Sequence, residues 1–173
     1  MIIQSPWRMM VLGVIDVKIV IVYDSQFGNT EKIALAIRDG ISPGHIVNVV
    51  RAAAGSQHDL HGADLLFVGS PTHGGRCTQP VKLFIEALPA DALRGMRAAA
   101  FDTGMKAEGQ GFVVRRVVRF FGYASSRMAP MLQAKGAGET RTETFAVAGR
   151  EGPLLEGELE RARAWGRTVA ERV

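Results

Sequence analysis

Hydroxyl, amide and glycine residues cluster where the first strongly apolar run of the sequence ends. The run KIVIV is followed, just before a segment with helical spacing, by Ser25, Gln26, Phe27, Gly28, Asn29 and Thr30. The first N–H groups of a helix have no intrahelical partner and carry partial positive charge. Neutral donors and a glycine around such an end suit a bound phosphate, and the turn contains no lysine or arginine.

Helix capping is the alternative explanation for this turn. Asn29 or Thr30 would cap the helix, and Glu31 or Lys32 would follow inside its first turn. Capping explains one polar residue, whereas the turn carries several. The two explanations remain open at the level of the sequence.

Two further polar, glycine-rich turns follow apolar runs, with the sequences GSPTHGG and FDTGMKAEGQG. The carboxyl ends of parallel strands lie at one edge of a sheet, and ligands bind there at the point where the strand order reverses. We therefore expect the three turns to converge on a single site.

The elements that must position these turns alternate between strand and helix. β-branched runs and period-2 patterns predict strands, and apolar residues three or four positions apart predict helices. Strands are predicted over 17–24, 45–52, 63–72 and 96–104, with an edge strand over 127–134 that tolerates Pro130. Helices are predicted over 29–41, 79–88, 111–123 and 156–173, with a loop over 135–143 and a short extra strand over 144–149. The pattern predicts a doubly wound, five-stranded parallel sheet of order 2-1-3-4-5 in a three-layer α/β/α arrangement.

Length and composition are those of an ordinary globular chain. The 173 residues are 47% hydrophobic and 22% charged, and they predict one domain over 15–173 after an irregular extension over 1–14. No run is long and apolar enough to span a membrane, and we expect no secretory signal. Cys77 is the only cysteine, which fits a reducing cytoplasm.

The net charge of +4 is unevenly distributed. Residues 1–111 hold ten basic and ten acidic residues, whereas 112–135 hold five basic residues and no acidic one. A solvated basic helix face, with Arg115 and Arg119 one turn apart, is the simpler interpretation. The sharper one is a docking surface for an acidic redox partner protein. Nucleic acid is not expected, because no reader motif accompanies the charge.

Other motifs do not point to a different chemistry. The sequence lacks the lysine-containing phosphate loop of nucleotide hydrolases and a G-x-S-x-G elbow, and Gly109-x-Gly111 lacks a third glycine. His58 and His61 have no cysteine partner, so we expect no metal site.

Three stretches together resemble the flavodoxin family: IVIVYDSQFGNTEKIA, LLFVGSPTHGG and AAAFDTG. The resemblance covers roughly residues 17–172 and includes EGPLLEGELERARAWGR, which is similar to the tail of small flavodoxin-domain proteins. It implies the cofactor FMN, with a loop for the phosphate and two loops beside the flavin ring.

The resemblance also implies roles for individual residues. Ser25, Gln26, Phe27, Gly28, Asn29 and Thr30 would wrap the phosphate, and Thr72 would add a hydroxyl. Pro71, His73, Gly74 and Gly75 would border the ring, with the Gly74 peptide turning to accept the N5–H group of reduced flavin. Asp102, Thr103 and Gly104 would flank the other side.

The sequence departs from the family pattern in three ways. His73 stands where a Tyr or Trp that stacks on the flavin ring is often found, and residues 103–111 contain no Tyr or Trp. We therefore expect that flavin binding is weaker than in other members, or that a second subunit of a homo-oligomer completes the site. Phe27 replaces a hydroxyl residue. The charge is positive, whereas the electron-carrying members are usually acidic. Arg76 and Lys106, if near the ring, predict a less negative second reduction potential by Coulomb attraction to reduced flavin.

Three functions follow as hypotheses. The first is an FMN-binding electron-transfer protein, and the second is an FMN-dependent NAD(P)H:quinone or other small-molecule oxidoreductase. The third is a binding module that has lost its flavin. Cys77 precedes a predicted helix start, where a thiolate would be stabilised, and a redox role is weighed against that of a small packing residue.

Overall fold

The fold is an open parallel sheet. The computed structural model describes residues 17–41, 44–105 and 122–173. Its strands are β1 Lys18–Tyr23, β2 Ile46–Arg51, β3 Leu65–Pro71, β4 Arg97–Gly104 and β5 Thr140–Ala146. Every neighbouring pair is parallel and the order is β2-β1-β3-β4-β5. The predicted fold class and strand order are confirmed.

Helices cover both faces of the sheet. Those of the described residues are α1 Asn29–Gly40, α2 Gln79–Ala87, α3 Ala124–Gln133 and α4 Glu158–Ala170, with a 3₁₀ helix over Gln57–Leu60. Alternate residues of β1 enter different apolar layers: Val20 and Val22 pack with α2 and α3, whereas Ile19 and Ile21 pack with α1 and α4. The strand is therefore buried on both sides, as a central parallel strand must be.

The edge strand predicted over 127–134 is wrong, because these residues belong to helix α3. Ala124, Met128 and Leu132 are buried at a spacing of four residues, which places them on one helical face against the sheet. Pro130 is exposed on the outer side of the helix. The prediction gave the proline more weight than this spacing.

The fifth strand lies later in the chain than predicted. Residues 140–143 were assigned to a loop and 144–149 to an extra strand, but β5 spans Thr140–Ala146 and pairs with β4. Threonine at every second position from 140 to 144 is the strand signal in this polar segment. Only Phe145 and Ala146 of the strand are fully buried, so its apolar pattern is weak.

Several sequence-based predictions fall outside the described residues. These are the extension over 1–14, most of the helix over 111–123 with Arg115 and Arg119, and the positions Lys106, Gly109 and Gly111. Within the described ranges, no helix has the length and apolar character needed to cross a membrane. In the same ranges, no group of three His, Cys, Asp or Glu residues is arranged to hold a metal ion.

Glycines bring α1 and α4 into close contact. A Cβ atom on Gly40 would collide with the carbonyl oxygen of Arg163, and one on Gly166 would lie 2.7 Å from the carbonyl oxygen of Ile37. The backbones therefore meet without intervening side chains. This contact matters for the site because the polar turn of residues 24–28 leads directly into α1.

Gly40→Ala is expected to lower the free energy of unfolding by about 1–3 kcal/mol, because the added methyl group forces the two backbones apart. Urea unfolding measures the change. Gly138→Ala is the matched control: a Cβ there meets nothing within 4 Å, so its effect should stay within about 0.5 kcal/mol. Equal effects of the two substitutions would contradict this description of the helix contact.

Candidate functional site

The turn after β1 leaves the amino end of α1 without a side-chain cap. Gly28 is the N-cap residue, with φ of 81°, and no side-chain hydrogen bond caps the helix. The first intrahelical bond runs from the Lys32 N–H to the Gly28 carbonyl. The capping alternative is therefore wrong, and the first N–H groups of α1 keep the capacity to bind an anion.

The Ser25 hydroxyl is the strongest sign of a missing ligand in this turn. Its oxygen is buried and has no hydrogen-bond partner among the described residues. Buried hydroxyl groups are normally paired, and one left unpaired calls for an explanation. A Cβ on Gly28 would meet no atom of the described residues within 4 Å, so the turn has open space at this position. These features fit a phosphate held by neutral donors.

The other polar side chains of the turn contact neighbouring loops. The Thr30 hydroxyl shares a buried 2.8 Å hydrogen bond with that of Thr103, at the end of β4. Asn29 Nδ2 donates to the Glu151 carbonyl at 2.9 Å, in the loop after β5. A Cβ on Gly152 would lie 2.5 Å from Asn29 Nδ2, so this loop approaches the turn closely. These contacts fix the turn from two sides.

The turn after β3 forms a tight hairpin. His73 and Arg76 exchange two backbone hydrogen bonds of 3.0 Å, and the two residues between them have positive φ, 54° at Gly74 and 76° at Gly75. This is the geometry of a type I′ turn, which glycine adopts without steric cost. Gly74 and Arg76 are exposed, Pro71 and His73 are half-buried, and the hairpin tip presents peptide groups rather than side chains.

Asp102 is fully buried and joins the loops that surround the site. It accepts hydrogen bonds from the Thr72 hydroxyl at 2.5 Å, the Thr144 hydroxyl at 2.9 Å and the Ser125 N–H at 3.4 Å. Burial raises the pKa of Asp102 above its ordinary value, against the effect of these hydrogen bonds. The carboxyl group thus connects β3, β4, β5 and the first turn of α3.

The same bonds change what Thr72 and Asp102 can contribute. The Thr72 hydroxyl gives its hydrogen to Asp102 and accepts from the Ala124 N–H at 3.0 Å, so it has no hydrogen left for a phosphate. The Asp102 carboxylate is engaged by these hydrogen bonds beneath the surface, and Thr103 and Gly104, which follow it in β4, are buried as well. We therefore assign Thr72 and Asp102 to the support of the site.

Arg51 lies behind the turn after β1. It is paired with Tyr23 in the sheet register, and its guanidinium lies 5.4 Å from the centre of the Tyr23 ring. It donates to the Ser25 carbonyl at 3.4 Å and to the Glu31 carboxylate at 2.8 Å. The second carboxylate oxygen of Glu31 accepts from the Tyr23 hydroxyl at 2.9 Å.

Cys77 precedes α2 in a half-buried position that disfavours its thiolate. It is half-buried, and burial raises the pKa of its thiol above the ordinary value. We expect iodoacetamide to alkylate it more slowly at pH 7 than a cysteine in an unstructured peptide, because less thiolate is present. Cys77→Ser should leave flavin binding and reduction unchanged. Faster alkylation than in the peptide would restore the redox hypothesis.

Sequence reasoning missed four residues that shape the site. Arg51 and Thr144 stand at the ends of strands that flank β1 and β4, so the strand order was the signal that could have found them. Thr144 was not identified because the fifth strand of the sheet was predicted over 127–134 instead of Thr140–Ala146. Glu151 acts through a backbone carbonyl, which carries no signature in the sequence, whereas Ser125 contacts Asp102 through both its backbone N–H and its side chain.

The fold defines a class of protein: an open, doubly wound α/β sheet, in which ligands bind at the carboxyl ends of the strands. The flavodoxin family profile matches residues 21–165, well over half of the chain. The chain belongs to the flavodoxin family. A search of the curated proteins found no match.

Solved structures with the same fold are distant in sequence. A flavodoxin from Streptococcus pneumoniae is 22% identical, with a TM-score of 0.67 over 91% of this chain and 100% of its own. A flavodoxin from the domain Archaea is 22% identical, with a TM-score of 0.63 over 90% and 98%. A flavodiiron core from Synechocystis is 19% identical, with a TM-score of 0.66 over 91% of this chain and 36% of its own.

Membership of the family makes the chain an FMN-binding redox protein. The turn after β1 is compatible with this cofactor, because it combines an uncapped helix end, an unpaired buried hydroxyl and an open glycine. The third hypothesis, a binding module that has lost its flavin, is therefore set aside.

Proposed function

We propose that the protein is an electron-transfer protein that exchanges electrons through FMN held between the loops after β1, β3 and β4. The observation that carries this proposal is the hairpin from His73 to Arg76, in which Gly74 and Arg76 are exposed, His73 is half-buried and Gly75 is buried. Its tip carries no side chain, so a flavin ring lying against it would keep an accessible edge. An accessible edge suits transfer between proteins better than chemistry in a closed pocket.

The turn after β1 would bind the phosphate. Ser25 Oγ donates its unpaired hydrogen, and the first N–H groups of α1 add donors and partial positive charge. Gln26 and Phe27 are exposed at the rim of the same turn. Asn29 and Thr30 help to hold the turn in shape through hydrogen bonds to Glu151 and Thr103.

The loops after β3 and β4 would orient the ring. FMN, when bound, accepts and donates electrons singly or in pairs. The peptide after Gly74 can rotate at little steric cost, since both residues of the turn are glycines, and this lets a carbonyl oxygen turn to accept a proton-bearing nitrogen. Asp102 keeps the base of the hairpin in place through Thr72. Thr103 and Gly104 border the opposite side.

The partner we propose is an acidic redox protein that docks on the basic segment 112–135. Of the five basic residues in this segment, Arg127 and Lys135 lie in the described part of the chain. Lys135 Nζ donates to the carbonyls of Glu86 at 3.0 Å and Leu88 at 2.5 Å, at the end of α2, so it serves the fold. The positive charge that attracts the acidic partner would come from the arginines of this segment.

An FMN-dependent oxidoreductase acting on NAD(P)H and a quinone or another small molecule is the second candidate. The net charge of +4 favours it, because a positive surface attracts anionic nucleotides. In this case a homo-oligomer would complete the flavin site. The single cysteine, which permits no intramolecular disulfide, supports a cytoplasmic location for either function.

Turnover of NAD(P)H by the purified FMN-loaded protein discriminates between the two candidates. A carrier should oxidise NADH and NADPH negligibly with a soluble quinone alone, and should accept electrons from a reduced ferredoxin at a rate that falls with added salt. Rapid partner-free oxidation of NAD(P)H would reject the carrier. A rate from ferredoxin that is independent of salt would reject the basic docking surface.

A further inference from the structure

Glu31 occupies the helix position from which a carboxylate commonly caps its own helix. It is the third residue after the N-cap Gly28, where a glutamate side chain reaches back to the N-cap N–H in a capping box. Such a carboxylate would occupy the end of α1 at which the FMN phosphate is proposed to bind. Two anions cannot share this end without strong repulsion.

The structure holds this carboxylate elsewhere. One oxygen accepts from the Tyr23 hydroxyl at 2.9 Å and the other from Arg51 at 2.8 Å, so neither caps the helix. Both donors come from strand ends next to the turn, since Tyr23 ends β1 and Arg51 ends β2. The Tyr23 ring is almost completely buried, so its hydroxyl has a fixed position.

We propose that Tyr23 and Arg51 are positioning residues that hold the Glu31 carboxylate away from the amino end of α1, so that the phosphate of FMN meets no competing anion of the protein itself. This inference rests on the proposed binding of the phosphate by the turn after β1. The two residues would then favour binding of FMN over riboflavin. The reason is that only FMN carries a phosphate, which would compete with the Glu31 carboxylate for the amino end of α1.

The first test compares FMN and riboflavin binding by fluorescence titration of flavin-free variants. Arg51→Gln removes one of the two restraints on Glu31, and we expect its Kd for FMN to rise about tenfold while its Kd for riboflavin changes less than about twofold. Arg51→Gln/Glu31→Ala also removes the competing carboxylate, so its Kd for FMN should return to within about twofold of that of Glu31→Ala. Alanine has a high helix propensity, so the Glu31→Ala substitution should not itself destabilise α1.

Arg38→Gln is the matched control. Arg38 and Asp39 form an ion pair at the opposite end of α1. The two ion pairs are similarly exposed: the side chains of Arg38 and Asp39 are 44% and 45% exposed, and those of Arg51 and Glu31 are 49% and 37% exposed. Loss of this pair should leave both flavin affinities unchanged. Equal losses in Arg38→Gln and Arg51→Gln would mean that general helix stability is being measured, and would overturn the proposal.

The remaining outcomes separate this inference from the proposed function. If the double variant binds FMN as weakly as Arg51→Gln alone, Arg51 acts by its own charge or by holding Ser25, and the positioning role is overturned. If riboflavin affinity falls together with FMN affinity, a distorted loop is responsible and the inference also fails. If the unmodified protein binds FMN no better than riboflavin, the phosphate site itself is wrong, and both claims fall together.

Discussion

Gly28→Val is expected to raise the Kd for FMN by about 100-fold or more, the largest effect on binding that we predict. Gly28 has φ of 81°, which a β-branched residue adopts only with strain, and its missing side chain leaves open space at the amino end of α1. The valine would both distort the turn and fill this space. Fluorescence titration of the flavin-free protein measures the change.

Gly62→Val separates the loss of binding from backbone strain. Gly62 also has positive φ, 68°, and a Cβ there meets nothing within 4 Å, but it precedes β3, at the opposite edge of the sheet. Both variants should lose a similar free energy of unfolding, about 1–3 kcal/mol. FMN affinity should fall only in Gly28→Val. Normal FMN binding by that variant would remove the turn after β1 from the site.

Asp102→Ala is expected to lower the free energy of unfolding by about 2–4 kcal/mol, the largest effect on stability that we predict. The substitution leaves the hydroxyls of Thr72 and Thr144 and the Ser125 N–H without their acceptor, inside a fully buried region. Urea unfolding measures the loss. FMN should also bind more weakly, because Thr72 holds the base of the hairpin.

The contribution of Asp102 should depend on pH in a definite direction. Burial raises its pKa in the folded state above the value of about 4 in the unfolded chain, so the folded state binds the proton more tightly. Protonation of Asp102 therefore stabilises the folded state relative to the unfolded state. This stabilisation is fully present below about pH 4 and is lost as the pH rises through the raised pKa of the folded state. Asp102→Asn, which does not titrate, should lack this decline.

Asp39→Ala provides the control for both experiments. Asp39 is exposed and, among the residues that the structure describes, pairs with Arg38 in a surface ion pair, so its loss should change stability by less than about 0.5 kcal/mol and leave the pH dependence intact. An Asp102→Ala variant as stable as Asp39→Ala would show that the buried carboxyl group does not hold the loops together. An unchanged pH dependence in Asp102→Asn would assign the decline to another group.

The central part of the fold could be predicted because its local signals agree. The first four strands are β-branched or apolar runs, three of which end in polar, glycine-rich turns, and their order follows from the alternation with helices. The prediction failed at the polar edge of the sheet. In β5 only two residues are fully buried, and in α3 Pro130 obscured the helical spacing of Met128 and Leu132.

The site could be predicted only in part, for a physical reason. Residues that we propose to bind the ligand through their own side chains, such as Ser25, lie in a local pattern of donors and glycines. Residues that support the site act through tertiary contacts: Asn29 meets a carbonyl 122 positions away, and Thr72 meets Asp102 across 30 positions. Their hydroxyl and amide groups look like ligand donors in the sequence, and only the structure shows which tertiary partners they contact.

The most direct test of the account is a titration of the flavin-free protein with FMN and with riboflavin, followed by fluorescence, with FAD as a further control. The account predicts tight binding of FMN and binding of riboflavin weaker by at least about 100-fold, because the Ser25 hydroxyl and the open end of α1 recognise the phosphate. Equal affinity for the two flavins would contradict it, since the turn after β1 would then contribute nothing to the recognition of the cofactor.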